Sequence, residues 1–387
     1  MALPITYSLG SLTVRWKSTV LVVIGIALVV AVFIALLSMA SGFRLALRAS
    51  GSAGNAIVME KGAFSELGSS FSAAAANSVA DDPRVMRGPD GAALVSPELV
   101  LVVALPRKSD GQLTNLGVRG VTAGAFELRR GVTLLKGRRP RAGLLEIIVG
   151  RQAERSFQGL ELGSRVSLLK HPFEVVGVFS DEGSSFESEV WGDFAAMASA
   201  FNRAGTENSL TVRLRDPRGL PAFDRDLRAG LQYPLTLTGE REYYESQAGP
   251  LAGFLRSLAV FVGVVTGIGA VFAAMNTMYA IVASRTREVG TLRALGFSRR
   301  AVLTAFLLEG LILALAGGLL GCLLSLLMDG ASASAWASLG EVSFAFRVTP
   351  ADLGVGLLFA AAMGVVGSLL PAARAARLPV TVALRRG

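Results

Sequence analysis

Ser18 to Ala40, STVLVVIGIALVVAVFIALLSMA, is a run of 23 residues without a charge, and further long apolar runs follow after residue 250. A helix crossing a bilayer needs about 20 such residues. No other feature restricts the fold as much. A soluble chain carries about a quarter charged residues; here 17% are charged and 52% hydrophobic, and the deficit sits in these runs. The rival reading of the first run is a signal peptide, whose apolar part is about 7–15 residues followed by small residues at a cleavage site. Ser38 to Ser41 includes small residues, but the run is too long for that pattern, and an uncleaved first span over 18–40 is expected, after a short N-terminus of residues 1–17.

The second apolar stretch, 251–283, is interrupted only by Arg256. Its 33 residues make a helix of about 50 Å, against about 30 Å of hydrocarbon. One end is therefore expected to project as a stalk on the side of residues 41–250, where Arg256 lies. The third span is read at 301–328 and the fourth at 353–371, closed by Pro371. Between the second and third lies a polar hinge, 284–300, with Arg285, Arg287, Arg293, Arg299 and Arg300 against the single acid Glu288. Val289, Leu292 and Leu295 recur there like one face of a short helix. Residues 329–352 form a connector with little charge, and the tail 372–387 carries Arg374, Arg377, Arg385 and Arg386. The N-terminus, hinge and tail are the basic short segments. The positive-inside rule then puts both termini in the cytoplasm and 41–250 outside it.

Residues 41–250 hold 25 Lys+Arg and 24 Asp+Glu, a balance that argues against a nucleic-acid surface despite the net charge of +9. Strands are expected at 55–61, 98–105, 116–121, 144–150, 208–215 and 235–238, with a hairpin of 165–169 and 173–179 around His171-Pro172. Helices are expected at 71–80 and 223–229. Two α+β subdomains follow from this order. One is built from the segments before about residue 115 and after about 205; the other is a β-rich insertion over about 116–200.

The sequence carries few residues arranged for chemistry. Motifs of the types GxxxxGK[ST], GxSxG and HExxH are absent. With one Cys, Cys322, and one His, His171, there is no internal disulfide and no Cys/His metal cluster. His171 reads as a turn residue. Asp181, Glu182, Glu187 and Glu189 lie in a Ser/Gly-rich stretch and read as solvated. No catalytic, cofactor or metal residue is assigned. Two polar residues lie inside apolar runs, where each is costly unless paired: Asn276 and Glu309. Each is either a fixed interhelical hydrogen bond or a contact with the hinge or another helix that changes in a working cycle. Gly263 with Gly267, and Gly317 with Gly321, form GxxxG pairs that permit close helix approach, either across a dimer or within one chain.

At Asn276, Arg285 to Gly290 (RTREVG), Arg293 to Gly296 (RALG), Glu309 and Gly317-Gly318, the chain resembles the FtsX-like permease domain of ABC transporters of the MacB type. Arg119 to Val121, Gly137-Arg138, Ile148 to Gly150, Gly163 and Val175 to Val178 are similar to that family's periplasmic core. The resemblance implies four spans, a MacB-like periplasmic core with a β-rich insertion, and a bacterial inner-membrane location. It further implies work as a dimer of identical chains, with an ABC ATPase subunit of the MacB or LolD kind that binds ATP and Mg. These 387 residues contain no phosphate cradle, so that ATPase is expected as a separate subunit. The hinge would be the element that couples to it, through Arg285, Arg287, Glu288, Arg293, Leu295 and Gly296. The leading expectation is an efflux permease that transmits ATP-driven movement to its external domain, with a periplasmic adaptor and outer-membrane duct as further partners. Alternatives are a lipoprotein-releasing permease, an FtsX-like regulator of a cell-wall hydrolase and, against the empty motif search, a membrane-anchored enzyme.

Overall fold

The computed structural model describes residues 16–230, 233–337 and 340–379. Of the basic segments invoked above, residues 1–15 of the N-terminus and Arg385 and Arg386 of the tail lie outside them. In chain order, helix α1 (Trp16–Ala49) leads to β1 (Asn55–Glu60), β2 (Phe71–Ser72), α2 (Ala73–Ala80), β3 (Val95–Pro106) and β4 (Leu113–Val121). Next come α3 (Ala125–Leu128), β5 (Thr133–Gly137), β6 (Glu146–Gly150), α4 (Arg151–Ser156), β7 (Arg165–Leu168), β8 (His171–Ser180), β9 (Glu189–Asp193) and α5 (Phe194–Ala200). The chain continues through β10 (Thr206–Glu207), β11 (Ser209–Arg213), α6 (Leu220–Ala229) and β12 (Leu235–Gly239). It ends with α7 (Glu240–Ser284), α8 (Thr286–Ala294), α9 (Arg299–Leu326), β13 (Ser332–Ala337), β14 (Gly340–Ala345) and α10 (Pro350–Arg377).

Two compact units form, each with its own core. One comprises 42–252 together with 332–345. Its main sheet runs β12-β1-β11-β3-β4-β9-β6-β8-β5, with β7 also on β8. Two cores lie along it. Ala56, Val58, Phe71, Val79, Leu210, Val212, Phe223 and Leu237 pack together beneath α2 and α6. Leu99, Leu116, Val118, Ile147, Val149, Phe157, Phe173 and Met197 form the other. The long strand β3 serves both. Val95 to Glu98 pairs with β11 and Leu99 to Pro106 with β4, so the boundary falls near Leu99 and not near residue 115. β6 is buried along its whole length, as an Ile-Ile-Val run between two paired strands requires.

Several local expectations need correction. Phe71 and Ser72 are a strand; the helix starts at Ala73, where the Ser72 hydroxyl accepts from the Ala75 amide. The β7–β8 turn is made by Leu169 and Lys170, both at positive φ, and His171 opens β8 with its ring 6.4 Å from that of Phe201. The connector 329–352, for which no element is expected above, contains the antiparallel pair β13–β14. Its Ala/Ser-rich strands have weak β propensity, which hid them; Phe344 of β14 packs edge-on against Phe43, 5.4 Å between centroids.

The second unit comprises 1–41, 253–331 and 346–387. Among the described residues, four helices are long and apolar enough to cross a membrane; α1, α7 and α10 outrun the apolar runs in the sequence, while α9 keeps the expected length and starts two residues earlier. α7 continues through Pro250, and α10 through Pro371 to Arg377. A proline removes one helical hydrogen bond and normally kinks or ends a helix. Past Pro371, Ala372, Ala375 and Ala376 are buried against Met278, Val289 and Phe306; this packing keeps the segment helical. At its start, α10 is fixed by a capping box of Thr349 and Asp352. Glycines set the closest helix approaches. A Cβ at Gly364 would lie 2.4 Å from the Ala314 Cβ, and one at Gly318 would lie 2.7 Å from the Ala360 Cβ.

Candidate coupling site

The hinge divides into the helix α8 and a tight turn. Leu295 is the C-cap of α8. Gly296, at φ +92, donates to the Arg293 carbonyl, and the Phe297 amide donates to the Leu292 carbonyl. This is a Schellman closure, in which a left-handed residue after the helix satisfies its last carbonyls; glycine adopts that conformation without a Cβ penalty. Ser298 then caps α9 by accepting from the Ala301 amide. The sequence R-A-L-G-F-S is thus a stop signal followed by a start signal.

Val289 and Gly290 bury one side of α8, and Val289 packs with Met278, Ile281, Val302, Phe306 and Ala375. Leu292 is half-buried and Leu295 is 72% exposed, because the helix ends before Leu295 can join the buried side. The arginines do not act alike. Arg285 sits at the joint between α7 and α8 and donates from Nη1 to Glu309 Oε2 at 3.1 Å, with both side chains largely buried. Glu288 lies 3.9 Å from Arg285. Arg293 donates from Nη1 to the Phe297 carbonyl at 3.2 Å, so it braces the turn. Arg287, Arg299 and Arg300 are exposed.

Asn276 is exposed on α7. The four glycines of the GxxxG pairs lie at contacts within one chain. A Cβ at Gly263 would meet Phe33 at 2.8 Å, one at Gly267 would meet Phe359 at 2.9 Å, and ones at Gly317 and Gly321 would meet α1 at Ile26 and Val30.

A second constellation, not anticipated from the sequence, anchors the first residue of α7. Arg119 of β4 donates to Glu66 (2.8 Å), Glu98 (2.6 Å) and Glu189 (2.8 Å). Arg129, just after α3, donates to Glu98 (2.6 Å) and Glu240 (2.9 Å). Glu240 also accepts from the Asn55 side chain and the Ser52 amide. All six charged groups are buried. Burial works to raise the Glu98 carboxyl, yet Arg129 and Arg119 outweigh it and hold it below the usual carboxylate range. Burial likewise opposes charge on Arg119, but Glu189 and Glu66 push its pKa well up. Of the acids expected to be solvated, Glu182 is exposed, whereas Asp181, Glu187 and Glu189 are buried. Glu189 pairs with Arg119 and accepts from the Trp191 indole at 2.9 Å. Glu187, fully buried, accepts from Ser180 and from the Asp181 and Gly183 amides and pairs with Arg151. The available signal was a charge at inward-facing positions of otherwise apolar strands, as at Arg119 between Gly117 and Val121 and at Glu98 beside the run LVLVVAL.

Comparison with known proteins agrees with this architecture. The MacB-like periplasmic core domain family matches residues 19–229, and the FtsX-like permease C-terminal family matches 260–380. Among curated relatives, the macrolide export ATP-binding/permease protein MacB of Mannheimia succiniciproducens is 27% identical over 235 residues, covering 57% of this chain and 35% of that protein. Its namesake from Shigella sonnei is 32% identical over 229 residues, covering 56% and 34%. The chain thus spans about a third of the length of these relatives. Among solved structures, the periplasmic region of MacB from Actinobacillus actinomycetemcomitans aligns with a TM-score of 0.37 at 15% identity, covering 51% of this chain and 92% of that one. The two family matches together take in the apolar helices, the hinge and the α+β unit, and the chain belongs to the MacB/FtsX-like family of ABC transporter permeases.

Proposed function

We propose that this chain is the membrane-spanning subunit of an inner-membrane ABC exporter. In this reading it passes the stroke of a separate ATPase to the 42–252 domain, with both termini and the hinge on the cytoplasmic side. ATP and Mg bind the ATPase; two copies of the chain work together, and efflux is the transport class, with an adaptor and outer-membrane duct as further partners. The observation that carries the reading is the build of the hinge. α8 is held rigidly by the Arg285–Glu309 pair and the Gly296 closure, while Arg287 and Leu295 stay exposed for a partner. The continuous helix α7 begins at Glu240, inside the buried ionic junction, and ends beside α8.

The test is purification from native membranes in mild detergent, followed by ATPase assay of the recovered complex. A soluble ABC ATPase should co-purify, and Arg287→Glu should reduce stimulation of its activity about tenfold without changing the melting temperature. Unchanged stimulation would remove α8 from the coupling path. Recovery of lipidated proteins on the external domain would redirect the assignment to lipoprotein release, and recovery of a cell-wall hydrolase to regulation.

A further inference from the structure

The main sheet ends differently on its two sides. At one end, β12 is buried at Leu235, Thr236 and Leu237 and lies against α6. At the other end all five residues of β5 are exposed. The inner edge of β5 pairs with β8, with a register shift at Leu135. Among the described residues, no strand and no backbone hydrogen bond covers its outer edge. Leu134 and Leu135 are 37% and 49% exposed, and Leu162, whose side chain approaches Gly137, is 45% exposed.

Charge is distributed unevenly here. Residues 129–145 include six bases and no acid. Arg129 belongs to the buried junction, and Arg138 is held by Glu146 at 2.5 Å. Lys136 and Arg139 are exposed and make no ion pair among the described residues; Arg139 lies 4.3 Å from the Phe126 ring centre. Folded proteins usually shield an open strand edge with a charge, a bulge or a covering segment. Lys136 and the irregularity at Leu135 discourage pairing with a like-charged strand. They do not account for the exposed leucines beside a basic turn.

We propose that β5 is a docking strand for an extended, acidic segment of a partner protein. The segment adds to the sheet edge through main-chain hydrogen bonds. Its apolar side chains cover Leu134, Leu135 and Leu162, and its carboxylates face Lys136 and Arg139. A second copy of this chain is disfavoured as the occupant, because it would bring the same basic turn against itself. An anionic lipid surface would satisfy the charges and leave the strand edge unpaired.

The full chain in detergent is titrated with a fluorescein-labelled decapeptide of alternating Glu and Val, and hydrogen–deuterium exchange is read over 132–138. The assay contains no ATPase, so its result is independent of the coupling role given to α8. Saturable binding with slowed exchange at 133–137 is expected. The double variant K136E/R139E, folded by circular dichroism, should weaken binding at least tenfold, and a Lys/Val decapeptide should not bind. Binding without protection of β5, or unchanged affinity in the variant, would overturn the proposal. So would peptide failure with binding of phosphatidylglycerol vesicles, which would assign the patch to lipid. The variant L135K, which keeps the basic charges, should also weaken peptide binding; if it does not, the leucines take no part.

Discussion

Arg119 has three carboxylate partners and no exposed atom to spare. Taking one member from a buried ionic set costs more than the set contributes, because the remaining charges stay buried and uncompensated, at about 3–5 kcal/mol. Arg119→Met should therefore lower the unfolding free energy of the α+β unit by an amount in that range, seen as a lower urea midpoint followed by tryptophan emission in detergent. Arg119→Lys should recover only part of it, since an ammonium cannot reproduce the forked geometry. Glu207 behaves in the opposite sense. It is buried, its Oε2 lacks a partner among the described residues, and burial lifts its carboxyl from 4.5 to about 7. The folded chain then holds this proton more tightly than the unfolded chain. The contribution is fully present below about pH 4.5 and is lost as pH rises toward 7. Glu207→Gln should be more stable than the native chain at pH 8, by about 1–3 kcal/mol, and comparable at pH 4; urea titrations at both pH values check this. Glu98 and Glu187, held low by their partners, work the other way: their stabilisation is present above about pH 4.5 and lost on acidification through their lowered values.

Among the helices, close approach is the governing constraint. A Cβ at Gly321 would sit 2.7 Å from the Ala27 carbonyl oxygen and 2.9 Å from the Val30 Cβ, while Gly269 has nothing within 4 Å. Gly321→Ala should cost about 1–3 kcal/mol by overpacking. Gly269→Ala should be neutral or stabilising, because alanine is the better helix former. Thermal melts of both variants in detergent give the comparison, and equal loss in both would mean that packing of Gly321 against α1 does not set the effect. The spacing G-x-x-x-G was readable in the sequence, but the partner helix was not. Asn276 and Glu309 looked alike there, as single polar residues in apolar runs, yet Glu309 pairs with Arg285 and Asn276 is exposed. Rotation of a helix about its axis depends on its neighbours, which periodicity alone does not name.

For the whole molecule, orientation is the first quantity to measure. With Cys322 replaced by Ser, a cysteine at Asp110 should react with a membrane-impermeant maleimide added to intact spheroplasts. A cysteine at Arg300 should react only after lysis. The reverse pattern would invert the topology proposed from the basic loops. The two family matches cover the large unit as far as residue 229, and the hinge and C-terminal helices within 260–380. The reading of efflux and of particular partners adds to this the inference from α7, α8 and the ionic junction.

Hydrophobic run length and periodicity determined the class of the protein directly from sequence: four long apolar helices, an interposed α+β segment, and a short basic helical hinge. These are local properties, and local rules decide them. The tertiary structure decided the rest. It carried α10 past Pro371, because buried alanines beyond the proline outweighed one lost hydrogen bond. It placed Glu187 and Glu189 in the interior, where partners from distant strands offset their desolvation. Which charges are buried together depends on the meeting of β3, β4, β9 and the start of α7, and no short stretch of sequence encodes that meeting.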